Sequence, residues 1–108
     1  MNREMVDRCN SYADKLFEAK PHDLCDAASC LFFEANKPDG DFTMTTLLSV
    51  LYTKRLHATT QGDEYKREYW HGVIELVRVK QKEKSIKRQF KQFLEQHSCD
   101  KSQEGEQA

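Results

Sequence analysis

Apolar residues recur three and four positions apart through most of this chain, the spacing of amphipathic helices rather than of strands. Residues 2–19 set Met5, Cys9, Tyr12, Ala13, Leu16 and Phe17 on one face and Arg3, Asp7, Asp14, Lys15 and Glu18 on the other. Lys20-Pro21 closes that helix, because the residue before a proline is pushed out of the α region. Pro21 suits the first turn of a second helix over 21–36. Its buried side is Leu24, Ala27, Ala28, Leu31, Phe32 and Ala35, with Asp23 and Asp26 placed well for the helix dipole. The turn formers of 36–41 follow. Asp41 or Thr43 can then cap a third helix over 43–59, whose stripe is Met44, Leu47, Leu48, Leu51 and Tyr52. Thr60-Gln61-Gly62-Asp63 has the spacing of a helix start and opens a fourth helix over 63–97. The pattern predicts an all-α fold, a small antiparallel bundle of four helices with a long C-terminal helix. Residues 1–97 form the single domain, and 98–108 read as a disordered polar tail.

The fourth helix is too long for its neighbours. If continuous it extends about 50 Å, at 1.5 Å per residue, and the other three are half that or less. It either overhangs the bundle or breaks, and the six polar residues of 80–85 are the place for a break. Its first half is core-like: Tyr65, Tyr69, Trp70, Val73, Ile74, Leu76 and Val77, with Trp70 at the centre of the core rather than a ligand platform. In its second half Leu76, Val79, Ile86, Phe90, Phe93 and Leu94 cover an arc roughly 100° wide. Lys80, Lys84, Lys87 and Lys91 cover an adjacent arc of about 60°, with Arg78, Lys82 and Arg88 further round.

Charge sharpens that division. The net charge is −1 over 108 residues. Residues 1–64 carry seven basic and eleven acidic side chains, whereas 65–97 carry nine basic and four acidic. Such a chain binds something anionic with its basic segment, or folds that segment back on its acidic half. No apolar run approaches the length needed to span a bilayer, and the first residues lack the pattern of a signal peptide. These features lead to an expected cytoplasmic location, no membrane partner and reduced cysteines.

Candidate chemistry is sparse. His22, Cys25 and Cys30 lie close in sequence and Cys9 could join them, but no Cys-x-x-Cys pair exists, so no metal is expected. Gly40, Gly62, Gly72 and Gly105 are isolated, which excludes a phosphate-binding glycine loop. Asp39-Gly40-Asp41 lacks the spacing of a calcium loop. Arg67-Glu68-Tyr69-Trp70-His71 resembles, over five residues, the Arg-to-His signature of the HEPN ribonucleases, although the spacing is shorter than that family's. The resemblance implies Arg67 as electrostatic stabiliser and His71 as acid/base on an RNA phosphodiester; an ordinary surface pair one turn apart explains the same residues.

The second half of the helix admits four uses. In the plainest, the apolar stripe packs on the first helix and the lysines are a solvated face. The leading functional expectation is a non-enzymatic protein-interaction module (adaptor, inhibitor or regulatory subunit) without cofactor or catalytic residue. Ile86, Phe90, Phe93 and Leu94 would be its apolar anchors, and Lys80, Lys84, Lys87, Arg88 and Lys91 its charged rim. The alternative is a nucleic-acid-binding module using Lys80, Lys84, Lys87 and Lys91 with Arg78 and Arg88. A membrane-surface helix is disfavoured by the thin stripe and its lack of Trp. A parallel homodimeric coiled coil is disfavoured too: with Leu76, Glu83 and Phe90 at a and Val79, Ile86 and Phe93 at d, Lys82 would face Lys87 of the other copy.

Overall fold

A computed structural model describes residues 2–105, with side chains as far as Glu95. Every regular element in it is a helix: α1 (Arg3–Ala19), α2 (Leu24–Ala35), α3 (Met44–Gln61) and α4 (Glu64–Gly105). The fold is the expected four-helix bundle with a long last helix.

Local capping explains where each helix starts. The Asn2 side chain accepts from the amides of Glu4 and Met5 and starts α1. The second helix begins at Leu24 rather than Pro21. Asp23 is its cap, accepting from the Asp26 amide at 2.9 Å, while Lys20 to Asp23 form a turn closed by an amide-to-carbonyl bond of 3.1 Å. A carboxylate able to satisfy the first orphan amides outcompetes the proline's preference for a first turn. Thr43, not Asp41, caps α3, its hydroxyl accepting from the Thr46 amide at 3.3 Å. The Asp41 amide instead donates to the buried side chain of Glu34 at 2.8 Å, and Lys37 pairs with that carboxylate at 3.2 Å. The hydrogen bond from Asp41, more than the lysine, holds the Glu34 pKa below its ordinary value. Gly40 belongs in this turn because a Cβ there would collide with the Glu34 carbonyl oxygen.

The passage from α3 to α4 uses the other glycine that matters. Gly62 sits in the left-handed region, at φ 74°, and lets the Asp63 amide donate to the Ala58 carbonyl at 2.9 Å. Asp63 then caps α4 by accepting from the Lys66 amide at 3.1 Å. Nothing crowds a Cβ at Gly62, so only the backbone conformation opposes one. Gly62→Ala should therefore cost about 1–2 kcal/mol, readable by urea unfolding. A neutral result would mean that the turn relaxes out of the left-handed region.

Within the bundle α4 lies against α2 and α3, while α1 packs on the other side of that pair, diagonal to α4. The core contains Cys9 and Ala13 of α1, Ala28 and Leu31 of α2, Leu47 and Leu51 of α3, and Val73, Ile74 and Val77 of α4. Close approach of α2 to α4 depends on Gly72, where a Cβ would stand 2.8 Å from Leu24 Cδ1. Phe17 bridges the diagonal, its ring centroid 4.7 Å from that of Tyr69 and 5.8 Å from that of Trp70. Trp70 is buried, as its place on the stripe requires.

The Tyr69 hydroxyl is buried with no hydrogen-bond partner among the described residues. Burial, reinforced by Asp23, pushes its pKa up to about 12. Tyr69→Phe removes an unsatisfied polar atom and keeps the ring contacts. It should be neutral or raise stability by about 1 kcal/mol, and a loss above that in a denaturant titration would reveal a hydrogen bond to bound water.

Of the two alternatives, overhang or a break at 80–85, the break does not occur. Lys, Gln and Glu are good helix formers, and a polar run without Gly or Pro has no reason to stop a helix already nucleated. The helix continues past residue 97 to Gly105; residues 106–108 of the polar tail lie outside the described residues. At 42 residues it is roughly 63 Å long by its rise per residue, and the molecule measures 64 × 27 × 22 Å. Overhang is the outcome, and α4 sets the longest dimension.

Candidate partner-binding surface

The body of the bundle stops where α2 ends and α3 begins. Lys84 Nζ donates to the side-chain oxygen of Asn36, the residue that closes α2. Beside it Gln81, Lys84, Ser85 and Arg88 border a crevice against Phe32, Asn36 and Met44. Lys80 is half-buried, and every residue from 81 to 95 is exposed.

The rotation of side chains around α4 carries the functional argument. Taking about 100° per residue, Tyr69, Trp70, Val73, Ile74 and Val77 centre on the core-facing side, and Lys80, Lys84, Lys87 and Lys91 continue nearly in line with it. Val79, Ile86, Phe90 and Phe93 lie roughly 150° away, on the outer side of the helix. The apolar phase jumps between Val77 and Val79. Below the jump the apolar side meets α2 and α3, and above it the equivalent side carries lysines.

This geometry corrects one expectation directly: the stripe does not pack on α1. From Val79 onward it stays in solvent, with Val79 50% exposed, Ile86 53%, Phe90 60%, Phe93 54% and Leu94 46%, whereas Leu76, on the same expected arc, is half-buried against the core. The expected rim is divided as well. Lys80 and Lys84 are drawn toward the body, whereas Lys82, Lys87, Arg88 and Lys91 meet no carboxylate among the described residues. Val79 joins the outer stripe although the sequence-based choice of anchors began at Ile86.

The other candidates are arranged differently. Arg67 is held by Glu64 at 3.0 Å and Glu68 at 2.6 Å, and hydrogen bonding to Glu64, then the two negative charges, raises its pKa. His71 accepts at Nδ1 from Arg55 at 3.1 Å. The two side chains thus turn to separate partners instead of converging on one phosphate position. Cys9 is buried, with its pKa pushed up to about 12 by burial against a small opposing pull from Lys54. That makes it a poor thiolate. Cys25 is exposed and Cys30 half-buried; the Cys99 side chain lies outside the described residues. Among the described residues no three His, Cys, Asp or Glu side chains gather as a metal site. No helix among them is long and apolar enough to cross a membrane.

One further cavity, of about 370 Å³, lies between the start of α2 and the first turns of α4. His22, His71 and Glu68 reach its wall, beside the apolar surface of Leu24, Tyr65 and Gly72. Its single carboxylate is the one already paired with Arg67.

Comparison with protein-family models, with curated proteins and with solved structures finds no match for this chain. The outer face of α4 must speak for itself.

Proposed function

We propose that this chain is a non-enzymatic docking protein, an adaptor, inhibitor or regulatory subunit, that binds a protein partner along the outer face of α4. One observation carries the reading: an apolar stripe of about four turns lies exposed on the side of α4 turned away from the domain's own core. Exposing apolar side chains such as Ile86 and Phe90 where α4 passes beyond the other helices, among the described residues, costs solubility and adds nothing to the fold, so a partner that covers them is the economical explanation. Ile86, Phe90, Phe93 and Leu94 act as anchors, with Val79 as the end nearest the body. Lys82 and Lys87 flank the stripe and steer the encounter, mainly affecting on-rate, while Arg88 and Lys91 add positive charge to the same segment from further round the helix. No observation favours nucleic acid over protein, since in the proposed row Lys84 is bonded to Asn36 and Lys80 is half-buried.

Affinity capture from native lysate, with and without nuclease, tests the proposal. The wild-type chain should retain a protein after nuclease treatment, and the Ile86→Ala/Phe90→Ala chain should not. Nuclease-sensitive capture, or a gel shift on DNA or RNA near physiological salt abolished by charge reversal at Lys84 and Lys87, would replace this reading with the nucleic-acid one.

A further inference from the structure

We infer that the occupant of the outer face is an acidic amphipathic helix, lying along α4 as the second strand of a short coiled coil. The inference rests on the docking reading above and specifies the partner's chemistry. Spacing argues for a helix. Val79, Ile86 and Phe93 recur at seven residues, with Phe90 and the polar Glu83 at the alternating positions between them, and a seven-residue apolar repeat is the seam that a second helix follows. Charge argues for acid. The positions flanking this seam from 80 to 89 are Lys80, Lys82, Lys87 and Gln89, with no acidic residue among them. Residues 79–95 carry six basic side chains against Glu83 and Glu95. Among the described residues no carboxylate pairs with Lys82 or Lys87, so a partner bearing Glu or Asp beside its own seam meets uncompensated positive charge.

A second copy of this chain brings the same lysines to the interface and is opposed by them. The length of the site is bounded at one end. Leu24 of α2 occupies the space over Gly72, the position one heptad before Val79, and so closes the seam toward the body. From Val79 to Phe93 the remaining seam is roughly 21 Å, two to three heptads of a partner helix. Glu83 within the seam sets the register, because it favours a partner polar or basic at the facing layer over one apolar throughout.

Two synthetic peptides distinguish this proposal from its rivals. Both have three heptads with Leu at the seam and one Asn facing Glu83; one carries Glu at the flanking positions and the other Lys. Self-repulsion between flanks keeps each monomeric. Titrated against the full chain, the Glu peptide should bind at least roughly tenfold more tightly than the Lys peptide and weaken as salt is raised. It should gain helical circular dichroism on binding, and charge reversal at Lys82 and Lys87 should invert the preference. Equal binding of both peptides, binding of neither, or a Glu-peptide affinity untouched by Ile86→Ala/Phe90→Ala would overturn the inference. So would sedimentation showing that the chain dimerises through Ile86 and Phe90. Lysate capture that still depends on Ile86 and Phe90 while neither peptide binds would remove the acidic helix and leave the docking reading standing; loss of that dependence removes the docking reading itself.

Discussion

Replacing Ile86 and Phe90 together by alanine is expected to abolish partner capture while leaving the folded state as stable as wild type. Both side chains are more than half exposed on the overhang, so their removal opens no cavity. Alanine is the better helix former, and the stability change should stay within about 0.5 kcal/mol. At an interface the same two groups would be central anchors, each expected to contribute about 2 kcal/mol or more. Two such losses weaken binding roughly a thousandfold, if they add. Parallel measurement of urea unfolding and of capture separates the two effects. A double variant that unfolds several kcal/mol more easily would mean that the stripe belongs to the fold rather than to a partner.

Trp70→Ala is expected to have the opposite profile, costing stability rather than recognition. The Trp70 ring lies 4.8 Å from Tyr69 and 5.8 Å from Phe17, centroid to centroid, and Lys54 Nζ stands 5.4 Å from its centroid. Lys54 is also paired with Asp14 of α1 at 2.6 Å, so the indole lies where α1, α3 and α4 meet. Truncating a buried Trp to Ala costs about 3–5 kcal/mol, through lost burial and the cavity left behind. That is a large part of the margin of a domain this size. Urea unfolding followed by circular dichroism measures it, since the variant lacks the only Trp. A cost below about 1 kcal/mol would show that the site collapses around the gap or that Trp70 is not central to the core. In the wild-type chain Trp70 emission should stay constant when a partner binds the overhang.

Much of this fold could be read from the residues, because local rules and packing agree there. The stripes of α1 and α3, the end at Lys20 and the burial of Trp70 each follow from one pattern with no competitor. Pro21 was the exception: two helix-start signals, Pro21 and Asp23, stood two residues apart, and the carboxylate prevailed. The polar run of 80–85 was ambiguous for another reason. Sequence records that a helix stops burying side chains, and this looks the same whether the helix ends or loses its neighbours.

The candidate surface was half legible. The stripe of Ile86, Phe90, Phe93 and Leu94 and its lysine neighbours could be drawn on a helical wheel. Which arc faced the body required the direction of the core side, fixed by Val73, Ile74 and Val77, and the level at which α2 and α3 stop. The first was available on the same wheel, while the second is a property of the packed bundle.

The outward direction of the stripe is the central claim, and photo-crosslinking from single positions tests it most directly. A benzophenone amino acid at position 84 of the purified chain should attach to its own domain near Asn36, whereas the same group at 86 or 90 should give no adduct with residues 2–63. In lysate, positions 86 and 90 should instead yield intermolecular adducts with a protein. Efficient intramolecular attachment from 86 or 90 to α1, α2 or α3 would contradict the claim, because it would mean that α4 folds back and covers its own stripe.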